Sequence, residues 1–221
     1  MWDSRRWTPV TLLRRAREVV RAGGLRALWF KVLGETCYRR MWLVGDSLER
    51  TFEVPIPSPI AASSLTLAEA PSLAALSTFS QGEIERRLHD GEICYLARLG
   101  GAIAGWRWYG CTRARVDYLG SSFDLPAGCV YGYDVFVVPE HRRKRVSSTL
   151  LSHARKDLVE RGFTIRFTAI MPENIEGGGF NSALTVSDPI GYMRVLRLGP
   201  LRRAWCSRGD DGLPPIHLEA D

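Results

Sequence analysis

Residues Val135 to Leu151 read VFVVPEHRRKRVSSTLL, a run that can fold in few ways. Val130 to Val138 is apolar, aromatic and β-branched, which suits a strand in a sheet interior. Pro139 removes a backbone donor and ends that strand. Four cations follow, Arg142, Arg143, Lys144 and Arg145, and Ser147 to Arg161 then reads as an amphipathic helix. Leu150, Leu151, Ala154 and Leu158 share one face of it. A strand that turns through such a loop into a helix leaves several backbone N–H groups without internal partners. Those donors, the helix dipole and the side-chain cations favour an anion such as pyrophosphate. A solvated basic surface is the plainer reading of the same residues.

The pattern on either side extends this unit into a domain. Ser64 to Glu69 alternates like a strand, and Pro71 to Phe79 and Gln81 to His89 read as short helices. Cys94 to Arg98 and Ile103 to Tyr109 are strands joined at Gly100-Gly101, a hairpin turn signal. Residues 113 to 128 read as a loop. Thr164 to Ile170 is a further strand, Gly177-Gly178-Gly179 forces a loop, Asn181 to Ser187 suggests a short helix, and Met193 to Leu198 is a last strand. Before all of this, Pro9 to Leu33 reads as a basic helix with Thr8 as N-cap, broken at Gly23-Gly24, and Tyr38 to Val44 as a strand. Pro55, Pro57 and Pro59 make an extended connector. The expected division is a basic extension over 1–59, a main domain over 60–205 and a loose tail over 206–221. The element order gives an α/β or α+β fold.

The block around Pro139 resembles the loop of the GNAT (Gcn5-related N-acetyltransferase) superfamily. There a strand leads into a turn like P-E-x-R-G-x-G-I-G and a helix that begins A-L-L or similar. Pro139, Glu140, Arg142, Val146, Ser147, Leu150 and Leu151 match in identity or character. The resemblance covers roughly residues 60 to 200. It implies a mixed, mainly antiparallel central sheet flanked by helices, and transfer of an acetyl or longer acyl group from coenzyme A to an amine. It further implies that the strand at Phe136, Val137 and Val138 splays from its neighbour to hold the pantetheine arm. Arg142, Arg143, Lys144, Arg145, Val146, Ser147 and Ser148 would then hold the pyrophosphate.

Two departures stand out. The small positions of the family's R-x-x-G-x-G/A loop are Arg145 and Ser147 here, and Arg145 conflicts with a backbone that favours glycine. The family's helical general-acid tyrosine has no counterpart between Asn174 and Gly191, although Gly191-Tyr192 resembles the Gly-Phe pair that follows it. An attacking amine must be neutral, so a carboxylate or a water chain removes its proton. The candidate acceptors are Asp134, on the strand before the loop, and Glu173; a structural carboxylate is the alternative for each. Tyr131 and Tyr133 could shape the acceptor site or simply belong to the core.

Composition narrows the remaining classes. The net charge of +6, mostly from arginine, favours anionic partners. The five cysteines are scattered without metal or disulfide spacing, and the four histidines form no constellation, so no metal is expected. No signal-peptide core or run of about 20 apolar residues is present, which gives a cytoplasmic expectation. The basic helix over 9–33 could instead lie peripherally on the anionic inner membrane face. The partners implied are a small-molecule or peptide amine and an acyl-CoA. An acyl-carrier protein as donor, a non-catalytic binding module, and a nucleic-acid role without any recognition motif are the alternatives.

Overall fold

The computed structural model describes parts of 16–33 together with 37–49, 59–171, 189–208 and 216–220. Residues 16–17, 19–21, 24–26, 28–29 and 32–33 are helical and are together labelled α1. Gly24 has φ +71°, a left-handed value at the Gly-Gly pair that signalled a break. Thr8, Pro9, the connector prolines Pro55 and Pro57, and the helix expected over Asn181 to Ser187 lie outside the described residues.

The body is an eight-stranded sheet. Its strands are β1 (Tyr38–Ser47), β2 (Ile60–Ser64), β3 (Ile93–Leu99), β4 (Ala102–Gly110), β7 (Cys129–Val137), β8 (Ile165–Ile170), β9 (Pro189–Leu198) and β10 (Leu201–Arg208). Their spatial order is β10-β9-β1-β8-β7-β4-β3-β2. Only β7 and β8 run parallel, joined by the helix α4 (Val146–Glu160); the other neighbours are antiparallel. This is the expected mainly antiparallel sheet. β1, which comes from the segment expected as an extension, lies inside that sheet between β8 and β9. A second sheet holds β5 (Arg113–Val116), β6 (Ser121–Asp124) and β11 (Glu219–Ala220). Residues 113 to 128, expected as a loop, thus contain a hairpin. The chain after Trp205 continues β10 to Arg208 and returns to pair Glu219 with Ser122.

Two short helices, α2 (Ala70–Ala74) and α3 (Gln81–His89), cover one face of β3 and β4, and α4 covers the other. Ser80 caps α3 by accepting from the Glu83 N–H at 3.2 Å. The segment Ser64 to Glu69 is not the expected strand. β2 ends at Ser64, and a 3₁₀ turn occupies Leu67–Glu69. Thr66 and Glu69 stand three apart as a capping box, with the Glu69 carboxylate accepting from the Thr66 N–H at 2.9 Å. That reciprocal capping outweighs the two-residue alternation. At the β3–β4 turn Gly100 and Gly101 have φ of 61° and 86°, the paired positive values that a tight hairpin needs.

Alternation along β4 divides the core. Trp106 and Trp108 pack with Leu73, Ile84 and Leu96 beneath α2 and α3. Tyr109 joins Tyr95, Val130, Leu150, Ala154 and Leu158 beneath α4. Loss of one such side chain, Leu150→Ala for example, costs about 2–5 kcal/mol through lost transfer energy and a cavity. α4 is also locked by charge. Buried Arg155 on α4 and Arg166 on β8 both donate to the Asp46 carboxylate on β1, Arg166 Nε at 2.8 Å.

Candidate functional site

The site begins where β7 and β8 part. Their parallel pairing runs from Cys129↔Ile165 to Gly132↔Thr168 and goes no further. Beyond Gly132 the other edge of β7 still pairs with β4, so the wedge opens between β7 and β8 alone. Phe136 and Val137, from the stretch expected to splay, lie on this free length of β7. Val138 follows it, its N–H bonded to the Ala104 carbonyl at 2.9 Å. Gly105 is needed here, because a Cβ would stand 2.6 Å from the Phe136 carbonyl oxygen and 3.0 Å from Val146 Cγ1. Strand and helix approach each other across that glycine.

The chain then makes a 3₁₀ turn at Pro139–His141 and enters α4 through Arg142 to Arg145. Arg143 and Arg145 both have left-handed backbone, φ 63° and φ 64°. Arg145 therefore takes the conformation for which the loop's glycine would be suited, carrying a side chain there. It serves as N-cap, its carbonyl accepting from the Thr149 N–H at 3.0 Å and the Thr149 hydroxyl at 3.1 Å. Among the described residues no acceptor meets the N–H groups of Val146, Ser147 or Ser148. The side chains of Arg142, Arg143, Lys144 and Arg145 are exposed, and among the described residues no carboxylate pairs with them. Free amides at a helix start, ringed by unpaired cations, suit a diphosphate group.

A β-bulge shapes the middle of the wedge. Trp108 faces Tyr133 and Trp106 faces Phe136, so Arg107 alone opposes Asp134 and Val135. Asp134 has φ 43°, which an aspartate tolerates better than most residues. The bulge turns its carboxylate onto Trp106, whose indole N–H donates at 3.1 Å. Phe136 stacks on Trp106 with centroids 4.6 Å apart. Asp134 still reaches solvent, but the protein around its carboxyl raises it above the ordinary carboxylate range. The Trp106 bond and nearby Arg87 oppose that shift without cancelling it. Tyr131 lies in the core, stacked on Tyr133 at 6.0 Å. Glu173 lies outside the described residues.

Beside the bulge stands a group that the sequence did not single out. Arg87 on α3 is buried, its guanidinium 4.0 Å from the Phe79 ring centroid and within cation–π range of Trp108 and Tyr133. It donates to Glu83 Oε1 at 2.9 Å and to the Tyr133 hydroxyl at 3.2 Å. Tyr133 in turn donates to Glu92. Burial raises the Glu92 carboxyl, against the pull of Tyr133 and Arg87. Burial also raises Tyr133, and Glu92 adds to it. One helix cation thus ties α3, β4 and the bulged strand together. Arg107, between Trp106 and Trp108 on β4, is also buried, and its Nε has no hydrogen-bond partner among the described residues. A Cβ on Gly132 would lie 3.3 Å from its Nη2.

The open parallel pair, the bulge and the basic helix start follow one another along β7 and into α4. The family described as acetyltransferase (GNAT) matches residues 64–177, more than half of the chain. The chain belongs to the GNAT acetyltransferase family. Solved structures of GNAT proteins resemble it distantly. A GCN5-related N-acetyltransferase from Kribbella flavida is 14% identical over 72% of this chain and 59% of its own, with a TM-score of 0.47. This GNAT chain therefore spans less than two thirds of that protein. An aminoglycoside acetyltransferase from an uncultured soil metagenomic sample, in complex with sisomicin, is 15% identical over 57% of this chain and 88% of its own, with a TM-score of 0.44. A ribosomal-protein-alanine N-acetyltransferase from Brucella melitensis is 16% identical over 62% and 99%, with a TM-score of 0.43. No curated protein matches the sequence. No helix among the described residues is long and apolar enough to cross a membrane. No cluster of metal-ligating side chains occurs among the described residues.

Proposed function

We propose that this GNAT protein transfers an acetyl or longer acyl group from coenzyme A to an amine, with the donor seated in the wedge between β7 and β8. The observation that carries the reading is the end of β7–β8 pairing at Gly132↔Thr168, on a strand that leads into a helix start whose amides and cations have no partner among the described residues. The residues present fit the donor. The Val146, Ser147 and Ser148 amides would hold the pyrophosphate, and Arg142, Arg143, Lys144 and Arg145 would neutralise it. Backbone groups of β7 that face away from β4, those of Val137 among them, would bind the pantetheine amides.

Asp134 is the proton acceptor in this reading. The amine nitrogen bonds to the thioester carbonyl carbon as the carbon–sulfur bond breaks, and the amine's proton passes to Asp134. The leaving sulfur takes a proton from solvent. A carboxyl raised above its ordinary range is better matched to that task near neutral pH than an unperturbed one. Trp106 fixes where the carboxylate points, and Arg87 holds the Tyr133 side of the bulge. A cytoplasmic setting is consistent with a coenzyme A donor.

The test is amine-dependent release of free thiol from acetyl-CoA and a longer acyl-CoA, across a panel of small-molecule and peptide amines. Turnover that Asp134→Asn abolishes, with donor affinity intact, supports the assignment. Turnover indifferent to Asp134 would remove it from the chemistry.

A further inference from the structure

We propose that α1 and the tip of the β9–β10 hairpin form one docking face for an anionic lipid bilayer. The last turn of α1 and the β9–β10 hairpin, each element with exposed apolar side chains, lie at one end of the sheet. Leu25, Trp29 and Val32 fall at helical spacing of four and three along α1, and are 75%, 61% and 49% exposed. Leu198 and Leu201, at the hairpin tip, are 54% and 72% exposed. Hydrogen bonds bring the two together. The Cys37 N–H donates to the Leu33 carbonyl at 2.9 Å, and the Arg197 N–H donates to the Cys37 carbonyl at 2.8 Å. The last turn of α1 therefore adjoins the strand end that carries Leu198.

Cations accompany both apolar features. Arg17, Arg21 and Arg26 on α1, and Arg197 and Arg203 on the hairpin, are exposed. From Pro189 to Arg208 the sequence holds Arg194, Arg197, Arg202, Arg203 and Arg208 and no acidic residue. Scattered apolar side chains need no explanation, but an exposed helix stripe whose last turn adjoins an exposed apolar hairpin does. A nucleic acid would use the arginines and leave Leu198, Leu201 and Leu25 in water. A bilayer interface uses both. The apolar side chains enter the acyl boundary, Trp29 suits the headgroup level, and arginines reach lipid phosphates at the same depth. The Arg142–Arg145 turn lies at the same end of the sheet with β8 and β1 between it and the hairpin, so lipid and acyl donor would use different sets of cations.

The experiment is sedimentation of the full chain with vesicles of pure phosphatidylcholine and of equimolar phosphatidylcholine and phosphatidylglycerol. Binding should be at least about ten-fold tighter to the mixed vesicles, a gain that one or two cations near the surface provide, and should weaken with salt. Leu198→Ser with Leu201→Ser should cut binding several-fold while acetyl-CoA affinity and thermal stability stay unchanged. Trp29→Ser should do the same. The hairpin variant keeps the test open if the α1 variant folds poorly. Equal binding to both vesicles, or to neither, overturns the proposal. Binding undiminished by the serine substitutions and displaced by duplex DNA would also overturn it, and assign the face to a polyanion instead.

Discussion

Replacing Arg145 with glycine should make the GNAT domain more stable, and the magnitude follows from one dihedral pair. Arg145 stands at φ 64° and ψ 17°, as the N-cap of α4. For a residue with a Cβ, left-handed backbone costs about 1–2 kcal/mol, and glycine removes that cost. Glycine also loosens the unfolded chain, which returns about 0.4–1 kcal/mol. The net gain expected for Arg145→Gly is therefore roughly 0.5–1 kcal/mol, or about 1–4 °C in Tm for a chain of this length. Among the described residues the guanidinium has no ionic partner, so deleting it should cost little by itself. Arg145→Ala serves as the control. It removes the same charge and keeps the Cβ, so its stability should stay within about 0.5 kcal/mol of the parent. Urea denaturation of the parent, Arg145→Gly and Arg145→Ala reads the difference directly. Glycine less stable than alanine would refute the backbone argument. Equal loss of acetyl-CoA affinity in both variants would assign Arg145's role in binding to its charge.

Three further outcomes follow from the same geometry. Asp134→Asn should lower kcat by about 10²–10⁴ with acetyl-CoA affinity kept; the acid limb of kcat/KM in the parent should lie above the ordinary carboxylate range, with activity lost as pH falls through it. Trp106→Phe should move that limb upward, since it deletes a bond that favours the ionised form, and an unmoved limb would count against Asp134 as the base. Asp46→Asn should destabilise the fold by about 3–5 kcal/mol in denaturant titration, because it removes the carboxylate that buried Arg166 and Arg155 share. Glu83, held at about 2 by Arg86 and Arg87, should contribute stability that is full above pH 4.5 and is lost as pH falls toward 2; Glu83→Gln should flatten that part of the stability–pH curve.

What could be read before the fold was known is the local chemistry. The strand, the basic turn and α4 were legible because Pro139, the cations and the 3.6-residue stripe act within a few residues of one another. The same holds for the paired glycines of the β3–β4 turn. The β5–β6 hairpin was not legible. Its strands are four residues long, and Arg113 and Arg115 hide the buried Ala114 and Val116 between them. Ser64 to Glu69 misled because a capping box and a strand share the same alternation over six residues. The bulge at Asp134 depends on two residues meeting one across β4, a register that no single strand announces. Arg87 reads in sequence as a surface helix cation. Phe79, Trp108 and Tyr133, far apart along the chain, bury it beside the candidate base.

The central claim is that the wedge between β7 and β8, with the Arg142–Arg145 turn, binds an acyl-CoA despite the missing glycine. Calorimetric titration of the purified chain with acetyl-CoA, at low and moderate salt, tests it most directly. The account predicts micromolar binding that weakens with salt and falls sharply in Arg142→Ala with Arg145→Ala. No heat from acetyl-CoA or a longer acyl-CoA, or affinity unchanged in that double variant, would contradict it.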